Sequence, residues 1–352
     1  MKREAEYLRI YRKLRNEIVQ GAYAYGMRLP SKRATAQAEG VSPITVEHAY
    51  ALLCEEGYLQ ARERSGCYVI YRKEELFSMP EKELAETAVS SGAQEESFPY
   101  TVFARAVRKV LADHGSQILS PTEGTGCLYL RQAIASYLLR SRNISVKPEQ
   151  IVIGSGSEYL YSLVVQIAGR DCVYGIEDPS YAQIRNIYQA SGAKVDPLPL
   201  TENGIDSKAL QKTDAAVLHV TPYRSFPSMN TADENKLREY VQWAVQRDAL
   251  IIEDDYASEF TAPGRARPTL FSMEPVYHII YMNTFTKTIA SSVRAGYMIL
   301  PEQRTQEILD MISFRSCTVS SLLQYTIAEV LNNGSFERHL NRMRRMHRKE
   351  QV

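Results

Sequence analysis

Lys287 is the only lysine between Lys236 and the C-terminal tail, and it stands among small and hydroxyl side chains in the stretch from Asn283 to Arg294. A short apolar run, His278 to Met282, precedes this stretch, and a second, Gly296 to Leu300, follows it. Partly dry surroundings disfavour the charged form of a lysine, which leaves its amine able to attack an aldehyde. Thr284 and Thr286 flank Lys287 closely, and Arg294 follows on the same stretch. Hydroxyl donors and a fork-shaped cation suit a phosphate monoester. An aldehyde trap beside a phosphate clamp is what pyridoxal 5′-phosphate requires. A solvated loop with an ordinary lysine would also fit these residues, so the surrounding elements have to decide.

Apolar runs at Ile151–Ile153, Cys172–Ile176, Lys194–Pro197, Ala215–Val220, Ala249–Glu253, His278–Met282 and Gly296–Leu300 predict short strands. Most are separated by helix-length segments, and Val102–Leu111 and Leu128–Leu139 are themselves helical in pattern. This predicts an α/β domain with a mainly parallel sheet covered on both faces. Ligands in such folds sit beyond the carboxyl ends of the strands.

The residues after those ends carry chemistry. Gly154-Ser-Gly-Ser-Glu158 opens a helix over Tyr159–Ile167. Its first amides, with Ser155 and Ser157, make an anion site, or simply a tight turn. Glu177-Asp-Pro-Ser-Tyr181 offers a ring that could stack on a planar ligand, although the chain has 23 tyrosines to choose from. Thr221-Pro-Tyr-Arg-Ser-Phe-Pro-Ser228 and Glu253-Asp-Asp-Tyr256 follow two further strands. A carboxylate at such a strand end could keep a pyridine nitrogen protonated. Neighbouring carboxylates could instead hold a metal, but no histidine lies near them in sequence.

The first seventy residues are of another kind. Tyr7, Ile10, Tyr11, Leu14 and Ile18 recur at helical spacing up to Gly21. Ser31 caps a short helix that Gly40 ends, and Ser42 with Pro43 starts a third whose buried face is Val46, Ala49, Tyr50 and Leu53. Residues 58–71 are two short strands around a charged turn. Three helices and a basic hairpin make a winged helix-turn-helix, or a helical protein-interaction domain with a charged face.

Composition sets the outer bounds. At 352 residues, 44% hydrophobic and 24% charged, the chain is globular and long enough for two domains. The net charge of +1 names no partner, but residues 1–73 hold 13 Lys and Arg against 8 Asp and Glu. A second basic cluster runs from Arg338 to Lys349. Five scattered cysteines without CxxC spacing speak against a zinc site and for a reducing cytoplasm. No run is apolar and long enough to span a membrane, and no signal-peptide core opens the chain.

The N-terminal motifs Leu29-Pro-Ser-Lys-Arg33, Gly40-Val-Ser42, Thr45-Val46, Ala49-Tyr50, Glu56-Gly-Tyr-Leu59 and Ser65-Gly66 resemble the DNA-binding domain of the GntR regulators. The resemblance implies that Arg33, Ser42, Thr45, Arg62, Arg64 and Gly66 face DNA. Pro43 stands where that family usually has an arginine. The ordered series from Gly154 to Arg294 resembles fold-type I aminotransferases. Together the two sets resemble the MocR subfamily, which joins a winged helix-turn-helix to an aminotransferase-like domain. That resemblance implies a winged domain over 1–72, a linker over 73–96, a cofactor-binding domain over 97–335 and the start of a shortened C-terminal domain over 336–352.

It further implies that Lys287 forms the internal aldimine with pyridoxal 5′-phosphate and Asp254 meets the pyridine nitrogen. Tyr256 would lie near the ring hydroxyl, Tyr181 would stack on the ring, and Gly156, Ser157, Thr284 and Arg294 would hold the phosphate. Glu158 stands where relatives usually carry glutamine. The implied partners are operator DNA with repeated half-sites, a second copy of the chain, and a small effector that is an amino compound or the cofactor itself. The expectation is a transcriptional regulator. The alternatives are an aminotransferase with an appended regulatory domain, or a decayed regulator without cofactor. The arginine that binds a substrate carboxylate belongs, in relatives, to the region that follows.

Overall fold

The computed structural model describes residues 6–62, 65–71, 98–260 and 267–350, with backbone alone at 260 and 347–350. The chain divides into two compact units, Met1–Ser90 and Ser91–Val352.

In the first unit, α1 (Glu6–Val19) buries Ile10, Leu14 and Ile18, one stripe at a spacing of four. In α2 (Lys32–Glu39), the Ser31 side chain accepts from the Ala34 amide, and the helix ends at Gly40 in the left-handed conformation (φ 66°). Likewise Ser42 accepts from the Thr45 amide at the start of α3 (Pro43–Glu55), which buries Val46, Ala49, Tyr50 and Leu53. Tyr50 ties the two helices together by donating to the Pro30 carbonyl and accepting from the Thr35 hydroxyl, both at 2.9 Å. Strands β1 (Leu59–Arg62) and β2 (Gly66–Val69) form an antiparallel hairpin whose Leu59 and Val69 close the same core.

The second unit is a three-layer α/β domain. Helices α4 (Tyr100–His114) and α5 (Leu128–Arg142) lead into β3 (Ile151–Gly154), α6 (Ser157–Ala168), β4 (Val173–Asp178) and α7 (Ala182–Ala190). Then come β5 (Lys194–Thr201), β6 (Gly204–Ile205), α8 (Ser207–Lys212), β7 (Val217–Val220), α9 (Glu234–Arg247) and β8 (Leu250–Asp254). The order closes with α10 (Leu270–Met273), β9 (Ile279–Thr284), β10 (Gly296–Ile299), α11 (Thr305–Ile312), α12 (Ser321–Asn332) and α13 (Ser335–Glu350).

The sheet order is β3-β10-β9-β8-β7-β4-β5-β6. Strands β4, β5, β7, β8 and β9 pair in parallel, while β10 runs antiparallel to both β3 and β9, and β6 antiparallel to β5. All seven expected strands are present. The eighth, β6, is two residues long, too short for any periodic pattern in the sequence.

Both faces of the sheet are apolar, as a doubly covered sheet requires. Ile151, Ile153, Ile251, Ile279 and Tyr281 join one core with α5, α9 and α12, while Val152, Ile252, Ile280 and Met282 join the other with α6 and α11. Each such side chain contributes about 1.5–3 kcal/mol on burial. Phe336 and Leu340 of α13 enter the first core, with the Phe336 ring edge-on to Tyr137 at 5.2 Å. The expected linker at 73–96 lies outside the described residues. Among the described residues no helix is long and apolar enough to cross a membrane.

Candidate functional site

Strands β3, β4, β7, β8 and β9 end at one edge of the sheet, and a cavity of about 260 Å³ opens there. The start of α6 gives it Gly156, Ser157, Glu158 and Tyr161, and the segments after β4 and β7 give Tyr181, Ile184, Thr221 and Phe226. The ends of β8 and β9 add Asp254, Tyr256, Thr284, Thr286 and Lys287, and Arg294 completes the lining. All eight residues singled out for the cofactor in the sequence, Gly156, Ser157, Tyr181, Asp254, Tyr256, Thr284, Lys287 and Arg294, lie on this one cavity.

The antiparallel strand explains the cavity's basic corner. In the ladder Gly296 stands opposite both Gly154 of β3 and Thr284 of β9. Since β10 starts where its neighbours end, Arg294 arrives beside the first turn of α6 without a long connection. A Cβ at 296 would lie 2.9 Å from the Asn283 carbonyl oxygen, so only glycine lets the strands close here. Gly156 has φ 87°, a conformation open to glycine, and it turns the chain into α6. The free amides of that first turn favour an anion. Nη2 of Arg294 lies 2.8 Å from Oε2 of Glu158.

Asp254 is buried at the end of β8. The Tyr161 hydroxyl donates to its Oδ2, and Nε2 of His219 lies 3.6 Å from the same oxygen. Nδ1 of His219 is 2.6 Å from the Tyr188 hydroxyl, so a buried chain of polar groups backs the carboxylate. Burial first, and the Asp254 charge second, hold the Tyr161 phenol well above its ordinary range. Nearby, Glu177 accepts from the Thr221 amide and the Ser225 hydroxyl. Burial pushes its carboxyl up to about 7.

The pleat of the strand separates the three consecutive acids. Asp254 faces the cavity. Glu253 turns to the other side and accepts from the Leu270 and Phe271 amides, each at 2.8 Å, which fixes the start of α10. Asp255 pairs there with Arg142 and accepts from the Tyr281 hydroxyl at 2.7 Å. Burial, then the Asp255 charge, raise the Glu253 carboxyl to about 8. Among the described residues, no three His, Cys, Asp or Glu side chains gather where a metal ion could be held.

One expectation is corrected. Lys287 is exposed rather than in partly dry surroundings. Its ammonium rests 4.3 Å from the Tyr256 ring centre, a cation–π contact. The Tyr256 hydroxyl donates to the Arg224 carbonyl at 2.7 Å, so the ring of Tyr256, more than its hydroxyl, faces the site. Tyr181 stands at the rim, edge-on to Phe226 at 6.3 Å. Sequence reading missed Tyr161, Ile184, His219 and Phe226. For Tyr161 a signal existed, since it lies one helical turn after Ser157 and so on the same face.

In the first unit, Arg33 is exposed near the start of α2. Ser42 and Thr45 join their hydroxyls at 2.8 Å across the cap of α3, whose exposed face continues through Ile44, Glu47 and His48. The Arg62 guanidinium lies 4.5 Å from the Tyr68 ring centre. Gly66 has φ 110°, a conformation that L side chains rarely adopt, so the turn of the wing itself favours glycine. Arg64 lies outside the described residues.

Residues 86–351 match the family described as aminotransferase class I and II, and residues 6–69 match the bacterial regulatory proteins of the gntR family. An uncharacterized HTH-type transcriptional regulator, YdeL of Bacillus subtilis (strain 168), is 31% identical over 98% of this chain and 77% of its own length. The probable rhizopine catabolism regulatory protein MocR of Rhizobium meliloti is 29% identical, covering 97% of this chain and 75% of that protein. The HTH-type pyridoxine biosynthesis transcriptional regulator PdxR of Corynebacterium glutamicum is 29% identical, over 95% and 75%. Among solved structures, the α-aminoadipate aminotransferase LysN of Thermus thermophilus, in complex with N-(5′-phosphopyridoxyl)-L-leucine, superposes with a TM-score of 0.64 at 24% identity. That match covers 72% of this chain and 66% of LysN. An archaeal alanine:glyoxylate aminotransferase gives 0.64 at 22%, over 69% and 62%. The chain therefore spans less than two thirds of these solved chains, and at such identities they speak for the fold alone.

Proposed function

Since the chain belongs to the gntR family of bacterial regulators, in the MocR-type branch that carries an aminotransferase class I and II domain, we propose that it is a DNA-binding transcriptional regulator that holds pyridoxal 5′-phosphate as its sensor ligand. One observation carries the cofactor part. A lysine amine, a buried carboxylate and an arginine beside a helix start surround one cavity, each delivered by a different strand end.

The donor set fits the group. Arg294, Thr284, Ser157 and the amides at Gly156 would take the phosphate, and Asp254 would accept from the protonated pyridine nitrogen. Tyr161 fixes that carboxylate by donating to its Oδ2, with His219 nearby at 3.6 Å. Tyr181 would cover one ring face, Tyr256 would stand beside the ring hydroxyl, and Lys287 would direct its amine at the aldehyde. When bound, the cofactor supplies an aldehyde that captures amines and a ring that withdraws electrons. An amino compound competing with Lys287 for that aldehyde is therefore a fitting effector, as is the cofactor itself.

On the DNA side, Arg33, Ser42, Thr45, Arg62, Arg64 and Gly66 would meet the duplex, with α3 in the major groove. We divide the chain into a winged domain (1–72), a linker (73–96), a cofactor domain (97–335) and the beginning of a C-terminal domain (336–352). The protein would act as a cytoplasmic homodimer on repeated half-sites.

Spectroscopy tests the cofactor claim. Purified chain mixed with pyridoxal 5′-phosphate should gain a visible absorbance band that borohydride fixes covalently to Lys287. Lys287→Ala should lose the band while remaining folded. Persistence of the band in that variant would remove the assignment, and rapid transamination of an amino acid with a keto acid would make the chain an enzyme instead.

A further inference from the structure

Glu158 is the second residue of α6, and its Oε2 lies 2.8 Å from Nη2 of Arg294. An acid in the first turn is favoured by the helix dipole, and a carboxylate–guanidinium contact is charge-assisted. One side chain thus engages both sources of positive potential at this corner. The charged side chains on the cavity are Lys287, Arg294, Glu158 and Asp254, so its formal charges cancel. A phosphate monoester brings nearly two negative charges. To take Nη2 of Arg294 it must displace Glu158, and anywhere on this guanidinium it stands beside the Glu158 carboxylate.

The two side chains are 47% and 53% exposed, so the ion pair itself is worth little. The larger effect comes from setting two like charges against one arginine. Glu158 is also placed to act on the phosphate alone. Its carboxylate is at the corner with Arg294, while Lys287 and Asp254 are delivered by other strand ends.

We propose that Glu158 is a built-in competitor for Arg294, which lowers the affinity of the cavity for phosphate-bearing ligands and leaves its affinity for their ring and aldehyde unchanged. The proposal rests on Arg294 being the phosphate-binding residue of the functional reading above. It makes Glu158 a specificity-determining residue that keeps a phosphorylated ligand exchangeable.

The test titrates the full chain and its Glu158→Gln and Glu158→Ala variants with pyridoxal 5′-phosphate, pyridoxal and inorganic phosphate. Removing the charge should tighten pyridoxal 5′-phosphate about tenfold in both variants, given the usual cost of like-charge contacts. Inorganic phosphate should tighten in the same direction, and phosphate-free pyridoxal should not change. Equal affinity for pyridoxal 5′-phosphate in all three proteins would overturn the proposal and leave the cofactor reading intact. So would an equal gain with pyridoxal, or a gain confined to Glu158→Gln, whose amide can itself donate to phosphate. If pyridoxal 5′-phosphate binds none of the proteins but inorganic phosphate still tightens, the cofactor reading fails and the competitor role stands. If inorganic phosphate shows no gain either, both fall.

Discussion

Arg294 joins β10 to the cavity and has the plainest consequence on substitution. Its guanidinium presents a planar fork that lysine cannot reproduce. Arg294→Lys is expected to weaken pyridoxal 5′-phosphate binding by about 1–3 kcal/mol, the range for a lost charge-assisted bond. Equilibrium titration checks this, and an unchanged Kd would remove Arg294 from the site. Glu177 makes a prediction in pH. Burial raises its folded pKa from 4.5 to about 7. The folded chain then holds this proton more tightly than the unfolded chain does. The resulting stability is full below about 4.5 and is lost as pH rises through about 7. Glu253, at about 8, acts with the same sign over a window reaching higher. The Tm should therefore fall between about pH 5 and 8, and Glu177→Gln, always neutral, should flatten part of that fall. Calorimetry across this range decides it, and an identical slope in the variant would show that Glu177 is not its source.

At the level of elements, the winged unit offers the sharpest test. Arg33 on α2 and Arg62 on β1 each present an exposed cation. Replacing either with alanine should weaken DNA binding on every sequence and lower the slope of log K against log salt by about one phosphate contact. Fluorescence anisotropy at several salt concentrations measures this, and a slope unchanged in both variants would put the DNA elsewhere. The helices of this unit were legible because their caps are chemical: Ser31, Gly40, Ser42 and Pro43 each mark a backbone position by what they donate, accept or permit. The strands of the large unit were legible as apolar runs. Their direction was not, since an apolar run is the same read either way, and the reversal of β10 left no trace in the sequence. That reversal places Arg294 in the corner. For the same reason His219 and Tyr188 were invisible as neighbours of Asp254. His219 approaches it, with Tyr188 behind His219, only because β7 lies beside β8 and α7 packs on that face. The exposure of Lys287 was misjudged because small neighbours in sequence do not tell how open a cavity will be.

For the whole molecule, the expectation is a dimer that carries two winged units. Joining two binding modules raises affinity without any new contact. Full-length chain should bind DNA with two half-sites at least about a hundredfold more tightly than DNA with one. Sedimentation should give twice the mass of the 39.9 kDa chain. A monomer with equal affinity for both DNAs would end the dimer proposal. The architecture of the cavity has a last consequence, for divergence. Gly156, Thr284 and Arg294 all issue from the neighbouring strands β3, β9 and β10, knit by the two ladders that share β10. Tyr181 and Phe226 come from the segments after β4 and β7, farther along the sheet. Mutations can accumulate in the second group without loosening the first. On the function proposed above, descendants of this chain would be free to change which amine they detect while continuing to grip the same phosphate.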